Sequence, residues 1–506
     1  MKLVLEYLEE TTSKFSEKIA IIEEENKATY KELLESSKII GSNLIDKASL
    51  NEPVIVFMDK GITTLELFFG ILYSGACYSL INPDFPETRI KTIKDVLKSK
   101  LVITNKENFE KAKNIFTDLN IYLVEDLITG KINEEELNKI RENKLDIDPV
   151  YINFTSGSTG VPKGVAIASR SIIDFIDEFT KEFNINENDI IANQAPFDFD
   201  VSVKDIFSSI KTGSTLLIIP KKYFSSPAKL LDYITDNKAT TLIWAVSALC
   251  LITTFHALDY KVPESVNKII YSGEVMPIKH LNIWMEKLLK AEIINVYGPT
   301  EITCNCTFHK INRNRDYSNG VPIGKPFKNE KVFLLNDKDE LITDKNIPGE
   351  ICVSGTCVGL GYYNNKEVTD KHFMQNPLNK SYIEIIYKTG DLAVYNEYNE
   401  LVFKGRKDFQ IKYMGHRIEL EEIDREILKI DGIKRVVTLF NEEKHKLWAF
   451  YIGNVTKEEI IEKLKKDVPE YMIPSMYKQM DEFILNKNGK IDRNILKNIM
   501  EGKDGL

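Results

Sequence analysis

Short apolar runs separated by longer amphipathic stretches restrict the fold of this chain more than any other feature of its sequence. Residues 53–58, 101–104, 121–124, 215–219 and 268–271 are strand-length and built mainly from Val, Ile and Leu, without a polar face. Strands apolar on both sides must be covered on both sides, which predicts an α/β chain of parallel-rich sheets layered with helices. The longest apolar run, residues 67–81, is shorter than the roughly 18 to 20 residues a bilayer demands and is broken by Gly70 and Gly75. It predicts a buried helix passing into a buried strand, so no membrane association is expected. The opening MKLVLEYLEETTSKF carries acids throughout and reads as an amphipathic helix, not a signal peptide, which implies a cytoplasmic protein.

At 506 residues the chain exceeds what one hydrophobic core organises. Residues 131–146 read as a solvated helix and connector. From about residue 331 the texture changes to shorter strand-like pieces at 331–335, 350–353 and 401–403, punctuated by Gly and Asn. This predicts a β-rich subdomain over 331–405 within an N-terminal core of residues 1–405. Residues 406–506 are long enough for a compact C-terminal α+β domain, with helices expected over 420–430 and 457–466. The net charge is −9 and the Lys and Arg residues are scattered among Asp and Glu, which excludes a nucleic-acid footprint. Six cysteines lack the second knuckle or His pair of a zinc site, and in a reducing compartment no disulfides are expected.

Residues 155–164 read TSGSTGVPKG directly after the strand-like 151–154. Gly157 and Gly160 permit turns that let amide N–H groups converge on an anion. Thr155, Ser156, Ser158 and Thr159 add hydroxyl donors, and Lys163 adds charge. A flexible linker would have no use for Pro162-Lys163-Gly164 followed at once by Val165-Ala166-Ile167. A Walker loop requires GxxxxGK and then Ser or Thr, whereas Val161-Pro162 here separate Gly160 from Lys163 and Gly164 takes the hydroxyl position. The loop predicts phosphate binding of another kind.

Further runs join this loop in a fixed order: ATYKEL from Ala28, YSGACY from Tyr73, FDVSV from Phe199, NVYGPTE from Asn295, GEICVSG from Gly349, YKTGDL from Tyr387, GRKDFQIKYMG from Gly405, YMIP from Tyr471 and NGKIDR from Asn488. Their order and spacing resemble the core motifs of the adenylate-forming superfamily, which contains acyl-CoA synthetases, luciferases and the adenylation domains of nonribosomal peptide synthetases. The resemblance implies an ATP-dependent, AMP-forming ligase. By that resemblance the 155–160 loop, Lys163, Gly298 and Thr300 contact ATP phosphates, Glu301 anchors Mg²⁺, and Tyr297 stacks on adenine beside Asn295. Asp391 accepts the ribose hydroxyls, as an acceptor-only carboxylate can. Arg406 reaches the ribose and phosphate region. Lys490 is implied to bridge the substrate carboxylate and the α-phosphate, with Thr300 and Glu301 completing the catalytic set. Lys490 belongs to the C-terminal segment, so that segment is implied to be a mobile lid hinged at Asp408.

Asp200 stands where the amino-acid-activating branch carries an aspartate for the α-ammonium group, and a carboxylate in a pocket makes physical sense when a cation arrives. The implied pocket further comprises Val201, Lys204, Ile270, Ser272, Gly273, Val296, Cys304 and Asn305, with one residue of 242–246 unassigned. Lys204 has two readings: inward, toward an acidic or strongly polar substrate side chain, or outward, toward Asp205 and solvent. The implied substrates are ATP and an amino acid, and the implied acceptor is the phosphopantetheine thiol of a separate acyl or peptidyl carrier protein, met by a monomeric enzyme. D-alanine–carrier protein ligases resemble the chain at GEVMP from Gly273 and DFQIK from Asp408, but usually carry cysteine at Ser272 and an apolar residue at Lys204. An acyl- or aryl-CoA synthetase would share the ATP motifs and have no use for Asp200.

Overall fold

The computed structural model describes residues 3–157, 161–484 and 491–502. The chain divides into two compact units, one of Met1–Pro83, Val96–Phe154 and Gly164–Lys407, the other of Asp84–Asp95, Thr155–Lys163 and Asp408–Leu506.

The first unit is an α/β structure built on two large sheets. The nine-stranded sheet runs in the order Lys325–Pro326, Thr307–Lys310, Glu292–Tyr297, Lys268–Ser272, Thr241–Ala245, Ile190–Asn193, Thr215–Ile218, Ile19–Glu23, Asn26–Thr29. Its interior pairings are parallel and its edges antiparallel. The seven-stranded sheet runs Gly361–Tyr362, Lys163–Ala168, Pro149–Thr155, Cys77–Leu80, Pro53–Phe57, Leu101–Thr104, Asn120–Leu123. Val54 and Val56 of this sheet share one buried core with Ile191, Ile243 and Ile294 of the other, together with residues of the helices Tyr30–Leu44, Ile62–Tyr73 and Ser202–Thr212. Side chains alternate across a strand, so Leu242 and Trp244 point to the opposite face and pack in a second core with Tyr271 and Ile293.

Residues 67–81 do form a helix and a strand, Ile62–Tyr73 and Cys77–Leu80, joined through Gly75 at φ +82°. The opening residues form the helix Leu5–Phe15, and Glu134–Glu142 is the exposed helix expected within 131–146. A smaller sheet orders Leu341–Ile342, Glu330–Leu335, Gly349–Gly355, Ile385–Tyr395 and Phe373–Gln375, with Leu401–Arg406 also paired to Ile385–Tyr395.

In the second unit, the helices Leu420–Leu428 and Lys457–Asp467 pack with the sheet of Ile433–Asn441, Lys446–Gly453 and Met476–Gln479 around Ile423, Ile427, Ala449 and Leu464. Thr456 caps the second of these helices in a reciprocal box with Glu459. No helix among the described residues is long and apolar enough to cross a membrane.

Candidate active site

Antiparallel pairing of Ile385–Tyr395 with Leu401–Arg406 sets Asp391 directly opposite Arg406. Arg406 Nη1 lies 2.5 Å from Asp391 Oδ1, and the Tyr297 hydroxyl donates to Asp391 Oδ2 at 2.5 Å. The backbone N–H of Asp391 donates to Thr389 Oγ1, fixing the turn that presents the carboxylate. Burial and the nearby Asp391 charge push the Tyr297 phenol well above its ordinary value, so it acts here as a donor. An ionised carboxylate has about four lone-pair sites, and two donors leave capacity for a diol. Asn295 donates its amide N–H to the Pro322 carbonyl at 2.9 Å, which orients its side-chain oxygen as the remaining acceptor. Tyr297 and Asn295 end a parallel strand of the nine-stranded sheet, the end at which open α/β sheets bind ligands.

The chain then turns sharply through Gly298-Pro299 into a single 3₁₀ turn, Thr300–Ile302. A Cβ at Gly298 would lie 2.5 Å from the Asn305 Cα, so only glycine permits this return. Thr303 and Cys304 follow at φ +57° and +83°, two successive left-handed residues that are strained for L side chains. The turn buries Glu301 completely, and the Tyr362 hydroxyl donates to its Oε1 at 2.7 Å. One carboxylate is a donor set suited to Mg²⁺, a hard cation that takes its remaining ligands from substrate phosphates and water. No group of three or more His, Cys, Asp or Glu able to hold a metal occurs among the described residues.

Lys204 points inward. It is fully buried on the helix Ser202–Thr212, where its Nζ donates to Ser272 Oγ at 3.0 Å and to Asn305 Oδ1 at 2.9 Å. Asp200, also buried, lies in the turn that leads into this helix, its carbonyl accepting from the Val203 N–H at 3.1 Å. Cys304 feels the charges of Lys204, Asp200 and Asp205, and burial pushes its thiol up to about 12. Val201, Ile270 and Val296 are buried around this cluster, and Gly273 turns the chain away after Ser272 at φ +99°. Within 242–246, Ile243 lies level with Ile270 and Ala245 with Ser272, which puts both on the face that carries Ser272.

A further buried chain of polar groups has no counterpart in the sequence reading. Asn193 Nδ2 donates to Asp205 Oδ2 at 2.6 Å, and Lys60 Nζ reaches Asn193 Oδ1 at 2.9 Å and the Gln194 carbonyl at 3.0 Å. Burial lowers Lys60 to about 7 and raises Asp205 to about 7. The proximity of Lys204 to Asp205 in sequence was the one available signal, and nothing marked Lys60.

In the second unit, Thr155 ends its strand with Oγ1 buried and without a hydrogen-bond partner among the described residues. Ser156 Oγ donates to the Arg417 carbonyl at 2.6 Å. A Cβ at Gly157 would lie 1.9 Å from the Val161 carbonyl oxygen, so the loop closes tightly on that glycine. Lys163 is buried and within electrostatic reach of Glu419. The Asp408 carboxylate accepts the Gln410 N–H at 3.2 Å. Ser158, Thr159, Gly160 and Lys490 lie outside the described residues.

This chain belongs to the family of AMP-binding enzymes, whose family model matches residues 8–363. Among its relatives are gramicidin S synthase 2 of Brevibacillus brevis, 32% identical over 98% of this chain, and zwittermicin A synthase ZmaJ of Bacillus cereus, 30% identical over 96%. The chain spans 11% of the length of the former and 93% of the latter. The fold is also that of the Vibrio cholerae adenylation domain AlmE, with a TM-score of 0.86 at 20% identity over 98% of both chains. An artificially fused adenylation-PCP di-domain from Klebsiella oxytoca gives a TM-score of 0.80 at 21% identity over 99% of this chain and 96% of its own. In sequence the chain is thus an AMP-binding enzyme similar to peptide-antibiotic synthases, and in fold it matches adenylation domains.

Proposed function

We propose that this enzyme activates an amino acid as its aminoacyl adenylate and transfers the acyl group to the phosphopantetheine thiol of a separate carrier protein. The observation that carries this reading is Asp200, a buried carboxylate in the turn leading into the helix of Lys204 and within electrostatic reach of Cys304. A carboxylate at that place is suited to a charge-assisted bond with the substrate's α-ammonium group. In the first step a carboxylate oxygen of the amino acid bonds to the α-phosphorus of ATP as the bond to pyrophosphate breaks. In the second the thiolate attacks the acyl carbon and AMP leaves.

Asn295, Tyr297, Asp391 and Arg406 serve the nucleoside, and Thr155, Ser156, Gly157, Ser158, Thr159, Gly160, Lys163, Gly298 and Thr300 serve the phosphates. Glu301 would hold Mg²⁺, which when bound offsets phosphate charge. Lys490 bridges the two reacting anions, and Asp408 is the pivot between the two steps. Two proteins of the same fold support the reading: AlmE forms a complex with glycyl-adenosine-5'-phosphate, and the Klebsiella oxytoca protein joins an adenylation domain to a PCP domain.

The test is ATP/pyrophosphate exchange with a panel of amino acids and their des-amino counterparts. Exchange should require the amine, and Asp200→Asn should narrow the preference for it by replacing a charge-assisted bond with a neutral one. A wild-type preference for fatty or aryl acids would overturn the reading in favour of an acyl- or aryl-CoA synthetase. Selective use of D-alanine would assign the D-alanine–carrier protein ligase reaction.

A further inference from the structure

Lys204 is an ammonium group with no exposed surface, yet its hydrogen bonds go to two neutral oxygens, Ser272 Oγ and Asn305 Oδ1. The Cys304 thiol lies within electrostatic reach of it. Among the described residues no carboxylate forms an ion pair with it. The adjacent Asp205 accepts from Asn193 instead, and burial raises its carboxyl to about 7 against the opposing influence of Asn193, Lys204 and Lys60. Neutral dipoles position a buried cation without cancelling its charge. A second polar group stands nearby: the Tyr151 hydroxyl is fully buried, has no hydrogen-bond partner among the described residues, and lies within electrostatic reach of Asp200 and Cys304.

Asp200 lies in the turn just before the helix Ser202–Thr212, and Lys204 stands in that helix's first turn. This short stretch of chain carries a buried carboxylate and a buried ammonium group. A substrate matching both carries an ammonium group at one end and a carboxylate on its side chain. Its side-chain carboxylate would complete Lys204. A neutral amide would supply a dipole and leave the charge uncompensated, and a cationic side chain would meet like charge.

We infer that Lys204, set by Ser272 and Asn305, selects amino acids whose side chain ends in a carboxylate. This rests on the amino-acid-activating reading above and is tested apart from it. Exchange by the wild-type enzyme is measured with glutamate, aspartate, their amides, alanine, leucine and lysine, and with glutarate as a des-amino control. Glutamate or aspartate should exceed its own amide by about 10²-fold or more in kcat/KM, the discrimination expected when a buried charged group would be left unpaired.

In Lys204→Met that advantage should fall below about tenfold while ATP binding, read by equilibrium titration, stays within about threefold. Lys204→Gln, which keeps a donor in place, substitutes for it if the Met variant does not bind ATP. A wild-type preference for any neutral or cationic amino acid overturns the inference and leaves the activation reading intact. Exchange with glutarate and with none of the amino acids overturns the activation reading itself. An acidic preference unchanged in a folded Lys204 variant also overturns the assignment of Lys204.

Discussion

The Tyr297 hydroxyl donates to Asp391 Oδ2 at 2.5 Å, tying the end of a strand in the nine-stranded sheet to the strand Ile385–Tyr395 of the smaller one. Arg406 holds the other oxygen, so the carboxylate is oriented before any nucleotide arrives. Tyr297→Phe keeps the ring and removes this donor from a buried acceptor, an omission that costs about 1–3 kcal/mol. The KM for ATP should rise by about tenfold or more, with kcat for exchange less affected. Steady-state kinetics at varied ATP check this, and an unchanged KM would show that Tyr297 does not orient the nucleoside site.

Lys490→Ala should slow adenylate formation by about 10²- to 10³-fold, the loss typical of one preorganised electrostatic donor, while ATP affinity changes little. Pre-steady-state formation of the adenylate separates the two quantities. A rate within threefold of wild type would remove Lys490 from the reaction.

At Asp408, proline would fix φ near −65° and delete the backbone donor, whereas asparagine would preserve the acceptor used by the Gln410 N–H. Asp408→Pro should therefore impair carrier loading much more than pyrophosphate exchange, and Asp408→Asn should leave the two half-reactions in proportion. Both are measured on one preparation. Equal losses in the proline variant would place the pivot elsewhere.

Burial raises Asp205 to about 7 from its ordinary 3.8, outweighing the hydrogen bond from Asn193 and the nearby lysines. A raised acid contributes stability that is fully present below its unfolded pKa and is lost as pH rises through the folded one. The wild-type thermal midpoint should thus fall relative to that of Asp205→Asn between about pH 5 and pH 7. Parallel midpoint curves for the two proteins would mean that Asp205 carries no such linkage.

The apolar strand interiors were legible because burial on two faces leaves a continuous Val, Ile and Leu record, as in Leu101–Thr104. Strand ends were less so, since backbone pairing extends to polar or small residues such as Asn120, Ser272 and Gly355 that carry no hydrophobic signal. The direction of Lys204 could not be read by periodicity. Every residue from Ser202 to Ile210 is buried, so this helix has no solvent face to set against an apolar one. Lys60 was invisible for a different reason: a lysine before glycine looks like a surface turn, and only tertiary structure brings it to Asn193 and the Gln194 carbonyl. The left-handed pair Thr303 and Cys304 was equally hidden, because neither residue type advertises positive φ.

The tight return through Gly298, Glu301 and the Thr303-Cys304 pair has a practical implication for redesign. Its first half holds the buried Glu301 carboxylate against the Tyr362 hydroxyl, and its second half presents Asn305 to Lys204. Because the backbone of Asn305 lies against Gly298, a library that varies residues 304 and 305 also perturbs the half of the loop that holds Glu301. Lys204 and Ser272 stand on separate regular elements and can be varied without rebuilding this loop, which behaves as a single module.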